Sequence, residues 1–170
     1  AYCQDNEISW FDWNLGKVEQ SLLAFAKEAI ALRQRHPVFR RRNFFQGRKI
    51  RGAEVKDISW VRPDGKEMSD EDWSKGYVRS LGMRLAGDAI EETDAMGHPI
   101  VDDTFLVLLN AHHGPISFTL PAHKRGVRWQ PVLDTAEPEA LKKRVTTLKG
   151  GESYDLEARS LAVLRLVAKP

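Results

Sequence analysis

The sequence predicts a mainly β protein, an antiparallel β-sandwich preceded by one long amphipathic helix. From Val18 to His36, apolar residues recur every three or four positions, which is the period of a helix. After residue 48, short apolar or alternating runs are separated by turns that contain Gly, Pro and Asp. Because the pattern changes at this point, we expect two parts, residues 1–47 and residues 48–170.

The predicted helix has a wide apolar stripe. Its apolar positions are Val18, Leu22, Phe25, Ala29 and Leu32, widened by Leu23, Ala26 and Ile30. Asp12 or Asn14 is expected to cap its start. Pro37 ends it, because a proline disfavours helical geometry in the residue before it. Because a large exposed apolar face usually marks a partner surface, we expect the isolated chain to self-associate through residues 18–36.

Six segments after residue 48 have the pattern of strands. They span residues 57–61, 77–90, 104–110, 116–120, 127–133 and 160–167. The third is nearly all apolar, which predicts burial on both faces. We expect the fourth to pair with it across a turn at Gly114–Pro115. Pro131 indicates an edge position for the fifth, since proline cannot donate to a strand ladder.

Two further segments complete the pattern. Ser69–Asp72 has the spacing of a capping box, which predicts a short helical turn that carries Trp73. Residues 137–148 are rich in charge and typical of a linker.

Composition and charge restrict the classes of partner. Of the 170 residues, 42% are hydrophobic, so the chain can form a core. With 26 basic and 24 acidic residues, the net charge is +2, which gives no electrostatic basis for binding nucleic acid. We interpret the short basic run Arg40–Arg42 as a solvated patch. No run approaches the ~20 apolar residues that span a bilayer, so we expect no membrane partner.

No pattern in the sequence indicates catalysis, a metal or a cofactor. A glycosidase needs two carboxylates across a sugar site, and we interpret Asp102–Asp103 as turn residues before a strand. His112–His113 lack the additional ligands that a zinc site requires. The sequence has no GxSxG motif and no glycine-rich phosphate loop. Cys3, the only cysteine, fits a reducing compartment, so we expect a cytoplasmic protein.

The opening segment, AYCQDNEISWFDW, mixes aromatic and polar side chains in a way that suits sugar binding. Aromatic faces pack on sugar rings, and amide and carboxylate groups hydrogen-bond to hydroxyls. For four polar or aromatic side chains, ligand contact and structural hydrogen bonding are both open. These are Tyr2, Gln4, Asp5 and Asn6. For Trp10 and Trp13 we expect packing toward a core.

The same opening segment resembles part of the bacterial glycogen debranching enzymes and isoamylases, in the α-amylase family of glycoside hydrolases. Val18–His36, followed by Pro-Val-Phe, is similar to the last helix of their catalytic barrel. The stretch from Trp60 to Trp73, with Pro63-Asp64-Gly65 inside it, is similar to a segment just beyond the barrel. Asp102–His113 resembles a strand of their C-terminal β domain.

The resemblance implies that residues 1–47 are the last loop and helix of a (β/α)8 barrel, and that 48–170 form the C-terminal β-sandwich. The parent enzyme would hydrolyse α-1,6 branch linkages of glycogen or a limit dextrin with two carboxylates, with retention and without a cofactor. The family's catalytic carboxylates lie upstream of the matched segments, so no catalytic residue is assigned and this fragment is expected to be inactive alone. Tyr2, Gln4, Asp5 and Asn6 would line outer glucan subsites, on the barrel face where substrates bind.

Two other classes of function stay open from the sequence. A stand-alone glucan-binding module would use exposed aromatic residues such as Trp73 and Tyr77, and would bind sugar without hydrolysis. A purely structural domain would neither bind nor hydrolyse, and its aromatic substitutions would change stability only.

Overall fold

The architecture comes from a computed structural model, which describes residues 3–48, 56–122, 126–136 and 147–167. The chain divides into two compact units, Ala1–Leu32 and Arg33–Pro170. The first contains the opening loop and most of a long helix. The second contains the β-sheets and the segment that leads into them.

Helix α1 spans Lys17–Arg35, which confirms the predicted helix to within one residue at each end. The expected cap is wrong, because the Gly16 carbonyl accepts the first helical hydrogen bond, from the Gln20 amide. Asp12 instead accepts from the Asn14 amide, which closes a turn before the helix. No residue of α1 is buried; Val18 and Leu22 are 77% and 66% exposed.

The segment after α1 belongs to the second unit. His36 is extended, as the following proline predicts, and Pro37–Arg40 form one 3-10 turn. Phe39 and His36 both pack on Phe105, with ring centroids 4.8 and 4.6 Å from that ring. These contacts bring the chain onto one face of the sheet that Phe105 belongs to.

The main sheet is antiparallel, with the order β1-β2-β3-β8-β5-β6. Its strands are β1 Ile58–Val61, β2 Ser80–Leu85, β3 Phe105–Asn110, β5 Arg128–Asp134, β6 Leu148–Lys149 and β8 Ser160–Val167. Strand β3 lies between β2 and β8 and is buried along nearly its whole length, as the apolar run predicts. A short helix, α2, spans Asp70–Trp73 between β1 and β2.

Strand β4, Ile116–Thr119, differs from its prediction. It does not pair with β3; it pairs with β7, Ser153–Leu156, in a second, two-stranded sheet. The chain changes sheets after the turn at Gly114, and Phe118 then packs inward from the opposite side. Strand β4 has no free edge of β3 to pair with, because β2 and β8 already occupy both edges of β3.

One cluster of buried side chains holds the two sheets together. It combines Leu106, Leu108, Trp129, Ala162 and Leu164 of the main sheet with Phe118 and Leu156 of the second. Trp129 is fully buried, and its indole N–H donates to the Pro121 carbonyl at 2.9 Å. The predicted β-sandwich is therefore confirmed, with a common core between its layers.

The edge position predicted from Pro131 is confirmed only locally. Strand β5 has β8 on one side and β6 on the other, but β6 pairs with Arg128 and Trp129 alone. The register with β8 also shifts between Pro131 and Leu133. Among the described residues, Pro131 thus occupies a stretch of β5 that is paired on one side only.

Within the described residues, no helix combines the length and the apolar character needed to cross a bilayer.

Candidate functional site

The opening loop holds three of the four predicted substrate contacts. Gln4, Asp5 and Asn6 lie in the described part of the loop, whereas Tyr2 lies outside the described residues. Gln4 and Asp5 are exposed, and Asn6 is half-buried. The structure therefore brings together Gln4, Asp5 and Asn6 before helix α1.

Hydrogen bonds among these residues fold the loop on itself. Asp5 accepts from the Trp10 indole N–H at 2.8 Å, and Asn6 accepts from the Ile8 amide at 3.1 Å. The Asn6 amide group donates to Gln4 at 3.3 Å. The Asn6 carbonyl accepts from the Trp10 backbone amide, which closes a turn. The polar side chains thus shape the loop, and each keeps further lone pairs or N–H groups for a ligand.

The aromatic residues of the loop are exposed, so the expectation that they pack inward is wrong. Trp10 is 65% and Trp13 is 75% exposed. Phe11 and Trp13 touch edge to face, with ring centroids 4.7 Å apart. The Trp10 ring is tied to the polar groups of the turn through its bond to Asp5. Flat apolar faces beside amide and carboxylate groups match the two chemical faces of a sugar ring.

A second ordered feature is the turn after β1. Asp64 accepts from the Arg62 guanidinium and from the Lys66 amide, and Gly65 takes a positive φ of 78°. A side chain at Gly65 would meet the Thr119 carbonyl at 2.8 Å, so glycine is required there. The Thr119 amide also donates to the Pro63 carbonyl at 2.7 Å. These contacts fix the turn on strand β4.

Asp72 organises the segment that follows. It closes the predicted capping box with Ser69, and it accepts from Lys75 at 2.9 Å and from Arg62 at 3.1 Å. The hydrogen bond from Lys75, then those from Ser69, lower the pKa of Asp72 far below its usual range. The acid therefore stays ionised and holds α2 to the turn after β1.

The basic run Arg40–Arg42 is not a solvated patch throughout. The Arg41 side chain is nearly buried, lies over the Phe45 ring and pairs with buried Asp57 at 3.1 Å. Burial alone would raise the pKa of Asp57, but the amides of Gln46, Gly47 and Ile58, together with Arg41, lower it overall. Local sequence pattern does not reveal this pairing, because the partners are 16 positions apart.

His36, Asp102 and Asp103 form a cluster that sequence reasoning missed. One ligand atom from each lies within 4.8 Å of the others, which is compatible with a metal ion. However, Asp102 already accepts from His36 Nδ1 at 2.8 Å, from the Val38 amide at 3.0 Å and from the Asp103 amide. Asp103 faces Arg165 at 3.4 Å. We interpret the cluster as a link between the end of α1 and the sheet.

A glycosidase general acid needs a raised pKa. Among the described residues, the carboxyl groups with a resolved change all have a lowered pKa, and hydrogen bonds to the ionised form oppose the effect of burial.

Comparison with known families matches residues 57–165 to the family model described as isoamylase, C-terminal. The match begins at buried Asp57 and ends within β8, so it covers most of the sandwich and more than half of the chain. The chain belongs to the isoamylase C-terminal family. The turn after β1, the capping box of α2 and the Asp102–Asp103 pair all lie within this isoamylase C-terminal region.

Relatives extend the similarity beyond the isoamylase C-terminal region. The chain is 45% identical over 166 residues to the glycogen operon protein GlgX homolog of Mycobacterium tuberculosis, covering 97% of this chain but 23% of the relative. It is 29% identical to an isoamylase of a Flavobacterium species, over 99% of this chain and 21% of that one. It is 27% identical to a glycogen debranching enzyme of Yersinia pestis, over 88% of this chain and 18% of that one. The chain spans about a quarter or less of these relatives.

Proposed function

We propose that this chain is the C-terminal part of a debranching enzyme that hydrolyses α-1,6 branch linkages in glycogen or a limit dextrin. In this proposal the chain supplies structure and outer substrate contacts, while the catalytic carboxylates belong to the rest of the enzyme. The observation that carries the proposal is the coverage: 97% of this chain matches 23% of a relative named for the glycogen operon.

The pairing of the carboxylates supports a non-catalytic role. Hydrolysis with retention needs a nucleophile and an acid about 5–5.5 Å apart across an open sugar site. Asp102 and Asp103 each place a carboxylate oxygen within 4.8 Å of the other. Asp102 is held by three hydrogen bonds and its side chain is 7% exposed, so it is not available to a sugar.

The opening loop supports a role in substrate contact. Gln4, Asp5 and Asn6, with the exposed rings of Trp10 and Trp13, would line outer glucan subsites next to the catalytic centre. Tyr2 would join them. Because the polar groups hydrogen-bond within the loop, the rings are already oriented before a sugar arrives, which lowers the cost of ordering on binding.

Helix α1 supports the assignment of residues 1–47 to the end of a catalytic barrel, with residues 48–170 as the β domain behind it. Val18, Leu22 and Ile30 of its apolar stripe are exposed, whereas a barrel helix buries such a stripe against the strands. In the isolated chain, a second copy would cover the same stripe. Self-association through residues 18–36 is therefore part of the proposal.

Location and cofactor use follow from the same assignment. We place the enzyme in the cytoplasm, where the free, exposed Cys3 would stay reduced. Hydrolysis by two carboxylates needs no cofactor.

A chimeric enzyme tests the proposal. This chain would replace the matching region of the Mycobacterium tuberculosis relative, and release of short linear chains from a limit dextrin would be measured. We expect the chimera to debranch and the isolated chain to release nothing. Debranching by the isolated chain, or a folded chimera that binds the dextrin without cleaving it, would contradict the proposal.

The same chimera tests the loop. Asp5→Ala removes the acceptor of the Trp10 indole, and Trp10→Ala removes the ring. Both variants are expected to raise KM for the dextrin several-fold with little change in kcat, since outer subsites contribute uniform binding. Glu7→Ala is the matched control: Glu7 is exposed in the same loop, and we assign it no sugar contact.

A further inference from the structure

A small cleft lies on the β unit, away from the opening loop in sequence. It is bounded by the turn after β1, by the residues that lead into β2, and by the start of β4. Its volume is about 280 Å³, near the lower end for small-molecule sites. A cleft of this size accommodates about one or two sugar rings, not a long chain.

The walls of the cleft combine an apolar floor with one exposed aromatic ring. Pro63, Met68, Val78 and Ile116 supply apolar surface. Tyr77 lies at the cleft and is 75% exposed. An exposed tyrosine beside an apolar floor offers a stacking face and a hydroxyl group, which is the combination found where one side of a ligand is apolar and the other is wet.

The cleft also offers hydrogen-bond donors. Both terminal nitrogens of the Arg62 guanidinium are paired with an acid. Nη2 pairs with Asp64 at 2.6 Å, and Nη1 pairs with Asp72 at 3.1 Å. His112 accepts from the Gly114 amide through Nδ1, so its remaining ring nitrogen can donate. Arg79 is a further lining residue, and its side chain carries N–H donors. Such donors suit hydroxyl groups, and the acids paired with Arg62 offset the charge of that guanidinium.

The segment that carries the aromatic residue is fixed in place. The capping box of Ser69 and Asp72, together with Lys75, holds the residues just before Tyr77. The Arg62 carbonyl accepts from the Gly65 amide on the other side of the cleft. A cleft built on fixed turns loses little freedom when a ligand binds, which favours measurable affinity for a small contact area.

From this geometry we infer that the cleft is a second, non-catalytic sugar site for an α-1,4-linked glucan segment, with Tyr77 as its stacking platform. The choice of glucan rests on the proposed function. The site lies on the β unit, so it would hold a chain of the substrate at a point other than the bond being cleaved.

Binding to the isolated chain tests the inference. The 15N-labelled chain would be titrated with maltoheptaose, and the dissociation constant would be measured from the amide shifts of Val78 and Arg79. Tyr77→Ala is expected to weaken binding about tenfold, while Tyr77→Phe, which keeps the ring, stays within about threefold. Phe44→Ala is the matched control, because Phe44 is 94% exposed and does not line the cleft.

Three outcomes would overturn the inference. The first is the absence of saturable shifts at Val78 and Arg79 up to millimolar sugar. The second is unchanged affinity in both Tyr77→Ala and Arg79→Gln, measured on variants whose spectra show a folded sandwich. The third is a response of these amides to inorganic phosphate but not to maltoheptaose, which would identify an anion site.

Failure of this site is distinguishable from failure of the proposed function. Cleavage of a short branched dextrin by the chimera reports on the proposed function, whereas the amide shifts of Val78 and Arg79 in the isolated chain report on the cleft alone. Loss of binding at the cleft with intact debranching would reject the second site alone.

Discussion

Strand β3 and helix α1 differ in the fate of their apolar side chains. Phe105, Leu106 and Leu108 of β3 are fully buried between neighbouring strands and the second sheet. In α1, no residue is buried, and Val18, Leu22 and Ile30 are exposed. Both segments have the apolar pattern of a core element. The pattern therefore predicts that each segment packs against another element, but it does not identify that element.

The difference teaches which part of the chain is self-sufficient. The β unit has two sheets, a common core and a buried ion pair between Arg41 and Asp57, and these form among its own residues. Helix α1 buries none of its 19 residues, although most of the stability of a protein helix comes from packing of its apolar face. The four predictions below test this contrast in order of expected effect.

The largest effect is expected at the centre of the core. Trp129→Ala removes a fully buried ring and leaves a cavity, so we expect a loss of about 3–5 kcal/mol in the free energy of unfolding. Leu22→Ala, on the exposed stripe of α1, should change it by less than about 0.5 kcal/mol. Urea unfolding followed by far-ultraviolet circular dichroism measures both. Equal losses of unfolding free energy in the two variants would contradict the proposed difference between the β unit and helix α1.

Asp57→Asn tests the buried ion pair. Arg41 would keep its charge without a partner, so we expect a loss of about 3 kcal/mol at neutral pH. The pKa of Asp57 is lowered by folding, so its contribution is present above the unfolded value of about 3.9 and is lost as pH falls through the lower folded value. The urea midpoint of the variant should therefore fall less steeply than that of the parent chain below about pH 4.

Gly87→Ala tests close backbone approach within the β unit. An added Cβ would lie 2.2 Å from the carbonyl oxygens of Asp102 and Asp103, so the backbone must move, at a cost of about 1–3 kcal/mol. Gly76→Ala is the matched control, because nothing lies within 4 Å of its added Cβ. Thermal unfolding of the two variants should differ by several degrees; similar midpoints would contradict the account.

Leu22→Lys is expected to have the smallest effect on the free energy of unfolding. It should nevertheless have a clear effect on self-association. A charge on the stripe of α1 should prevent a second copy from covering it, while the β unit keeps its stability. Sedimentation velocity across micromolar concentrations should show self-association of the parent chain and a monomeric variant. A parent chain that stays monomeric would reject self-association through this helix.

The sequence predicted most elements and missed the contacts that join them. Helix α1, the capping box at Ser69 and strand β8 follow from local period and spacing, which depend on neighbouring residues. The pairing of β4 with β7 depends on which edges of β3 are already occupied, and local pattern carries no such information.

The candidate site shows the same limit. The mixture of residues in the opening loop predicted polar and aromatic groups close together. The hydrogen bonds that Asp5 and Asn6 make to Trp10, and the exposure of Trp10 and Trp13, are not revealed by spacing alone. The cleft beside Tyr77 combines three separate segments, so only the folded chain brings it together.

Hydrogen exchange tests the central claim most directly. Amide exchange would be measured in α1 and in β8, for the isolated chain at a concentration where it is monomeric and for the chimera. We predict that β8 is protected in both proteins, whereas α1 exchanges rapidly in the isolated chain and slowly in the chimera, where a barrel covers its apolar face. Protection of α1 equal to that of β8 in the monomeric chain would contradict the claim that this helix needs the rest of the enzyme.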